Sequence, residues 1–303
     1  MSLTEPQRAL FNLLQNQNKK VEKTLYYPGP YWDYKTKKIA YWLKKNGLNN
    51  FRSIDSAVGT SYTDGFSIDY RKELGFKGRL LSSVFSLPFL NKIFEKQVDI
   101  ARKLFLEKIY FQSKILSKSE KVKLLLSKYK IENSVSFSCA DKIRSENKEY
   151  STHYLSFLER IDNLSSFSDF TKINSFMEIG GGYGGNIHLL VQNFKNLKKI
   201  IYVDIFPNLF VGTEYLKFHF GSAVKDYSLF HDSDEIRFSE DDELEIICIP
   251  SWALEKVKSK VDKFHNCASF QEMKVDQVRN YKRLIKNILN KNSLDLIVYT
   301  HPV

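Results

Sequence analysis

The sequence predicts an α/β protein whose second half forms a mostly parallel sheet and whose first half is mainly helical. Two observations carry that expectation. From about residue 174 onward, short apolar runs of strand length alternate with segments of helical period, the pattern of consecutive βαβ units. The first of these runs, Phe176 to Ile179, enters a turn with five glycines in the six positions Gly180 to Gly185, and an apolar helix start follows at Asn186. Glycine there allows backbone angles closed to residues with a Cβ. It also lets the main chain approach a ligand at a helix N-terminus.

In chain order, Leu10, Leu13 and Leu14 share one side of a short first helix. Tyr26-Tyr27-Pro28-Gly29-Pro30-Tyr31-Trp32 reads as an irregular aromatic turn, because its two prolines oppose regular structure. It serves either as a packed elbow or as an aromatic wall for a ring-shaped substrate. Ile39, Ala40 and Leu43 fit a short helix closed by Asn46-Gly47, and residues 51–78 read as loops and short strands. Leu90, Phe94, Val98, Ala101, Phe105 and Ile109 recur at helical spacing, a stripe with lysines and glutamates between its members. Leu124 to Leu126 suggest another helix, as do Tyr154, Leu155, Leu158 and Ile161 over 151–161.

Beyond the glycine turn, Ile200–Val203 is a strand ending at Asp204, and Pro207–Phe218 is a helix with proline in its first turn. A polar insertion, Gly221 to Glu243, precedes a third strand at Glu245–Ile249, stopped by Pro250. Ala253–Lys260 reads as helix, Asp262–Ala268 as a fourth strand, and Leu294–Thr300 as a fifth. Between the last two, Met273–Asn290 is a helix with Val275, Val278, Tyr281, Ile285 and Ile288 facing inward.

The composition, 43% apolar and 27% charged, suits a chain with a sizeable core. No apolar run approaches 18 residues, so no membrane span is read. Three scattered cysteines without metal spacing suit a reducing cytoplasm. The net charge of +11 lies wholly in residues 1–170, where 29 Lys and Arg face 18 Asp and Glu; residues 171–303 balance 17 against 17. Two regions follow from this: a basic region at 1–170 for acceptor binding or oligomerisation, and a neutral glycine-loop domain at 171–303. The basic half reads either as a lysine-rich solvated face or as a surface for an anionic glycan, lipid or nucleic acid.

Three nucleotide-type ligands compete for a glycine turn after a strand. A P-loop requires lysine after its last glycine, and Gly185-Asn186-Ile187 has none. A pyrophosphate would be repelled by Glu178, two residues before Gly180, whereas that carboxylate suits a ligand bearing an ammonium group. Asp204 ends the next strand, where an acid accepts both ribose hydroxyls. Acids at consecutive strand ends around Gly-x-Gly-x-Gly therefore favour S-adenosylmethionine.

Glu178-Ile179-Gly180-Gly181-Gly182-Tyr183-Gly184 resembles motif I of class I S-adenosylmethionine-dependent methyltransferases over residues 174–301. Together with Tyr202-Val203-Asp204-Ile205, Ser269-Phe270-Gln271-Glu272-Met273 and Pro28 to Trp32, it resembles a bacterial family of sugar O-methyltransferases. The resemblance implies a Rossmann-like, doubly wound, seven-stranded sheet with the cofactor over its C-terminal edge. It places Glu178, Gly180, Gly182 and Gly184 near the methionine end, Asp204 on the ribose, and Ile205, Ser251 and Trp252 near the adenine. Ser269 to Glu272 then lie where the methyl group meets its acceptor. Trp252 reads equally as core. Such folds usually close with an antiparallel hairpin, which is expected to be missing here after the fifth strand.

A sugar hydroxyl needs a base or a metal to remove its proton. Glu272 is the first candidate base, His301 the second and His153 the third; each also reads as an ordinary structural residue. Glu272 with its neighbours could build a divalent-metal site, but no His/Asp spacing announces one. The implied function is O-methylation of a sugar in a bacterial surface polysaccharide or its nucleotide-linked precursor, with homo-oligomerisation left open. The alternatives are a nucleic-acid methyltransferase, disfavoured because no Asn/Asp-Pro-Pro-Tyr text follows the fourth strand, and a catalytically inactive scaffold. Asp204→Ala is expected to weaken cofactor binding with little change in fold.

Overall fold

The computed structural model describes residues 3–21, 24–53, 56–58, 116, 118–145, 147–267, 269–290 and 296–299. The predicted Leu90–Ile109 stripe, most of the 51–78 stretch and His301 lie outside them.

Helix α1 (Glu5–Asn18) starts on a capping box in which the Thr4 N–H donates to Gln7 Oε1 at 3.0 Å. It buries Leu10, Phe11 and Leu14. Helix α2 (Pro30–Asn46) corrects the reading of the aromatic stretch: Pro30 does not prevent regular structure but begins it. The first helical position needs no N–H, and proline's fixed φ already suits it. Helix α3 (Glu120–Lys128) turns Val122 and Leu125 inward and leaves Leu124 exposed. A hairpin of β1 (Lys142–Ser145) and β2 (Lys148–Ser151), which the sequence reading did not anticipate, leads into α4 (Thr152–Ser165). On α4, Tyr154, Leu155, Leu158 and Ile161 are buried as their spacing requires.

The sheet then begins with β3 (Ser175–Ile179), followed by α5 (Gly185–Asn193), β4 (Lys199–Asp204) and α6 (Asn208–Phe220). Strands β5 (Val224–Lys225), β6 (Glu245–Pro250) and β7 (Lys263–Cys267) come next, then α7 (Val275–Ile288) and β8 (Leu296–Tyr299). Among the described residues, six strands pair in the order β5-β6-β4-β3-β7-β8, every neighbour parallel. Strands β3 and β6 are buried along their whole length, as a parallel sheet covered on both faces requires. The chain runs outward from β3 to β4 and β6, then returns to β3's other side as β7. The order thus reverses between β3 and β7, and the crevice beyond their carboxyl ends is where open α/β sheets hold ligands.

Several boundaries differ from the sequence reading. The polar insertion supplies the edge strand β5. Residues Ser251–Lys256 form a 3-10 turn in place of an α-helix. Pro207 sits at the N-cap of α6, one residue before its first turn. On α7 the inward face is Gln277, Asn280, Tyr281, Leu284, Ile285 and Ile288, while Val275 is exposed. The two sequence regions also share one core. Leu10, Phe11, Leu14, Ile39, Leu43 and Phe51 belong to the same apolar cluster as the sheet, and Phe11 meets Phe206 and Phe210 edge-on at 5.0 and 5.2 Å.

Candidate functional site

The glycine turn is fixed from both ends. Gly180 and Gly182 have φ of +76° and +62°, a region that favours glycine. A Cβ on Gly180 would lie 2.4 Å from Ser269 Oγ, so the loop passes directly over the segment after β7. From β4, Asp204 grips the loop: its Oδ2 accepts the Gly182 N–H at 2.8 Å and its Oδ1 the Ile205 N–H at 2.7 Å. The Asp204 carboxyl is buried, and burial pushes its pKa up to about 7, with Glu178 and Glu272 adding to the rise against the two N–H bonds.

Two clefts flank this loop. The front cleft, about 320 Å³, is floored by Ile179, Gly180, Gly182, Val203, Asp204 and Ile205. Its walls come from Asn208 on α6, Ser251 after β6, Cys267 and Ser269 around the end of β7, and Glu272, Met273 and Tyr281 beyond. Pro28 and Trp32 complete it from the N-terminal region. Among the described residues, two carboxylates line this space and no Lys, Arg or His does. Two buried acceptors there, Asn208 Oδ1 and Ser251 Oγ, have no hydrogen-bond partner. Ser251 lies near enough to the Tyr281 phenol to ease its ionisation, without hydrogen-bond geometry; burial still pushes that phenol up to about 12.

The rear cleft, about 280 Å³, shares Gly180, Gly182 and Cys267 with the front one and is walled by α4. Glu178 lies within it. Its Oε1 accepts from Asn186 Nδ2 and from His265 Nδ1, both at 2.8 Å, while Oε2 is buried without a partner. That oxygen lies under the loop, 2.6 Å from where a Cβ of Gly181 would stand. Arg160 lines the same cleft; its guanidinium packs 4.8 Å over the Phe157 ring and donates to Cys267 Sγ. An acid with a free oxygen and an arginine in one cleft can bind a zwitterion.

The structure thus brings Glu178, Gly180, Gly182, Asp204, Ile205, Ser251, Ser269 and Glu272 together around one loop, as their positions at strand ends predict. Two residues are placed otherwise. Gly184, φ +84°, caps α5 against Leu216 and lines neither cleft. Trp252 also stays out of both, on the 3-10 turn after β6 beside Tyr227. Among the candidate bases, Glu272 faces the front cleft and accepts from Trp32 Nε1 at 2.8 Å. His153 lies instead in the rear cleft, stacked 6.0 Å from Phe157. Among the described residues no group of three or more His, Cys, Asp or Glu side chains could hold a metal ion. No helix among them is long and apolar enough to cross a membrane.

Sequence reasoning missed Arg160, His265, Asn208 and Tyr281. His265 had a signal, since register pairs it with Glu178 across β3 and β7. Asn208 had a weaker one in following the acid-ended strand by four residues. Compared with known proteins, the chain matches no family model and no curated sequence.

Proposed function

We propose that this protein is an S-adenosylmethionine-dependent O-methyltransferase of the class I, Rossmann-like type, acting on a sugar hydroxyl. The observation that carries the reading is the charge of the front cleft. A space that, among the described residues, is lined by two carboxylates and no cation repels phosphate and favours a nucleoside with a positive substituent. The fit extends to the unsatisfied atoms. Asp204 suits a ribose diol, since each of its oxygens keeps a lone pair after binding the loop N–H groups. Asn208 Oδ1 and Ser251 Oγ can accept from an amino-substituted base beside Ile205. Behind the loop, Glu178 Oε2 suits an ammonium and Arg160 a carboxylate.

When bound, S-adenosylmethionine supplies an activated methyl group. The chain's own part is to align the acceptor, exclude water and take its proton. Glu272 is the described candidate for that proton, because of the two candidate bases among the described residues it lines the front cleft and His153 the rear one. Beside that cleft, sharing Pro28, lies a third of about 250 Å³ whose polar lining includes Gln15, Asn18, Lys19, Asp33, Thr36 and Lys37. Amides, a hydroxyl and a carboxylate next to Tyr27 suit a hydroxyl-rich acceptor, and the two lysines suit an acidic one.

The test is titration calorimetry with S-adenosylmethionine. Wild type should bind, and Glu178→Gln should weaken binding about tenfold by removing one charge-assisted contact. No heat from the wild-type protein at millimolar ligand would sink the reading. Asp204→Ala is a poorer probe than the sequence suggested. It would orphan the Gly182 and Ile205 N–H groups and so destabilise the loop itself.

A further inference from the structure

The hydrogen bond between Trp32 and Glu272 joins residues 240 positions apart, both of which line the front cleft. Trp32 stands in the first turn of α2, and Glu272 ends the short 3-10 turn Ser269–Glu272 after β7. Both line the cleft that also holds Asp204 and Gly180. The segment carrying Trp32 is tied down twice more at the rim. The Tyr26 hydroxyl donates to Glu255 Oε1 at 2.6 Å, and Gln277 Nε2 donates to the Tyr27 carbonyl. Tyr26 also meets Tyr281 edge-on at 6.0 Å. Three attachments around one opening fix where the indole N–H points.

A surface glutamate at the end of a short turn ordinarily samples several rotamers and spends its charge on water. Here the indole N–H engages Oε2 and holds the carboxylate over the cleft. Its charge is felt there, since it contributes to the raised pKa of Asp204. The geometry points to Trp32 as a positioning residue that keeps the Glu272 carboxylate facing the ligand's sulfur, so that a sulfonium is held in preference to a neutral thioether. This rests on the methyl-donor reading and goes beyond it. The protein would favour S-adenosylmethionine over its demethylated product, S-adenosylhomocysteine, through one held charge, and the N-terminal region would complete the donor site.

The two ligands differ at sulfur by one methyl group and one positive charge, so the ratio of their affinities isolates the effect. Calorimetry with both ligands on wild type, Trp32→Phe and Glu272→Gln is the test. Glu272→Gln, nearly isosteric and exposed, should lower the preference for S-adenosylmethionine by about threefold or more, as loss of a partly screened charge pair predicts. Trp32→Phe keeps an aromatic wall and removes the donor. It should lower the same ratio, while affinity for S-adenosylhomocysteine changes less than about twofold. A ratio unchanged in both variants overturns the inference and leaves the methyl-donor reading standing. Equal weakening of both ligands by Trp32→Phe reduces Trp32 to a wall and also overturns it. Failure of wild type to bind either ligand removes both readings.

Discussion

On one flank of the glycine loop, Arg52 directs its N–H groups to the Ser134 carbonyl at 2.5 Å, Ser151 Oγ at 2.8 Å and Cys139 Sγ at 3.0 Å. Asp141, 3.9 Å from the guanidinium, accepts from Ser151 Oγ, Thr152 Oγ1, the His153 N–H and the Cys139 thiol. Burial works against the Asp141 charge, yet His153, Arg52 and these donors hold its carboxyl below the ordinary value. Across the loop, Glu178 Oε2, Asn208 Oδ1 and Ser251 Oγ are buried as well, and none has a partner. Both flanks are polar and both are enclosed, so polarity alone does not mark a site. The network of Arg52 and Asp141 pairs its own charges and holds the fold together, while Ser136 Oγ and His219 Nε2 on the same flank are buried without a partner and away from either cleft. Acceptors left open beside a cleft are what a ligand completes.

That contrast breaks hardest at Arg52. Its guanidinium also lies 4.9 Å over the ring of Tyr183, so it ties residues near the hairpin to the loop itself. Arg52→Met leaves Asp141 buried and charged without its cation, which typically costs about 3–5 kcal/mol. Urea denaturation at neutral pH should show a loss of that size. A loss below about 1 kcal/mol would mean that water enters the network and solvates Asp141.

How legible each flank was in the sequence follows from the same difference. Glu178, Gly180, Gly182, Asp204 and Ser251 were readable because each stands at the end of its strand or within the turn. In a parallel sheet the carboxyl ends of neighbouring strands converge, so local pattern fixes tertiary position. Arg160 was not readable, and Trp32 was read only as part of an aromatic wall or elbow. Arg160 sits on a helix that precedes the sheet, and only the packing of α4 beside the loop brings it to the rear cleft. Trp32 was misjudged because Pro-Gly-Pro signals irregular structure, and here the second proline begins a helix. The Arg52 network left no trace at all. Its members, scattered from residue 52 to residue 153, meet only in the folded chain.

The histidines of the closed flank give a pH test. His188 on α5 stands between Tyr154 OH, 2.5 Å from Nδ1, and Gln192 Nε2, 2.7 Å from Nε2. The Gln192 amide is fixed by Glu132, whose N–H donates to Oε1 and whose carbonyl accepts from Nε2. It therefore donates to His188 Nε2, and the ring hydrogen resides on Nδ1. Burial, with the stacked His219 3.7 Å away and Arg52 adding to it, lowers the His188 pKa to about 2. Above pH 6.5 this histidine is neutral in both the folded and the unfolded chain and contributes no pH dependence. As pH falls below 6.5 the unfolded chain takes up a proton that the folded chain refuses, so stability drops. Relative to His188→Gln, wild type should lose about 1.4 kcal/mol per pH unit between pH 6 and 4, read from urea midpoints. Parallel curves for the two proteins would place the imidazole in water.

The open flank weakens in the same direction as pH falls, but the effect is seen in binding and comes from a raised carboxyl pKa. Asp204 has its pKa pushed up to about 7 by burial, with Glu178 and Glu272 adding to it, so near neutral pH the carboxyl carries its proton about half the time. A diol donating two O–H groups engages the ionised form, and binding then expels the proton. Affinity for S-adenosylmethionine should fall toward tenfold per pH unit below pH 7 and level off above pH 8. Calorimetry in two buffers of different ionisation enthalpy would register the released proton directly. In Asp204→Asn the position carries no charge, so its weaker binding should vary little between pH 6 and 8 and release no proton there. Flat wild-type affinity across that range would mean that the two loop N–H groups, which oppose the rise, keep Asp204 ionised. The grip on Gly182 and Ile205 would then outweigh the cost of burying the charge, and Asp204 would belong with the closed network as much as with the cleft.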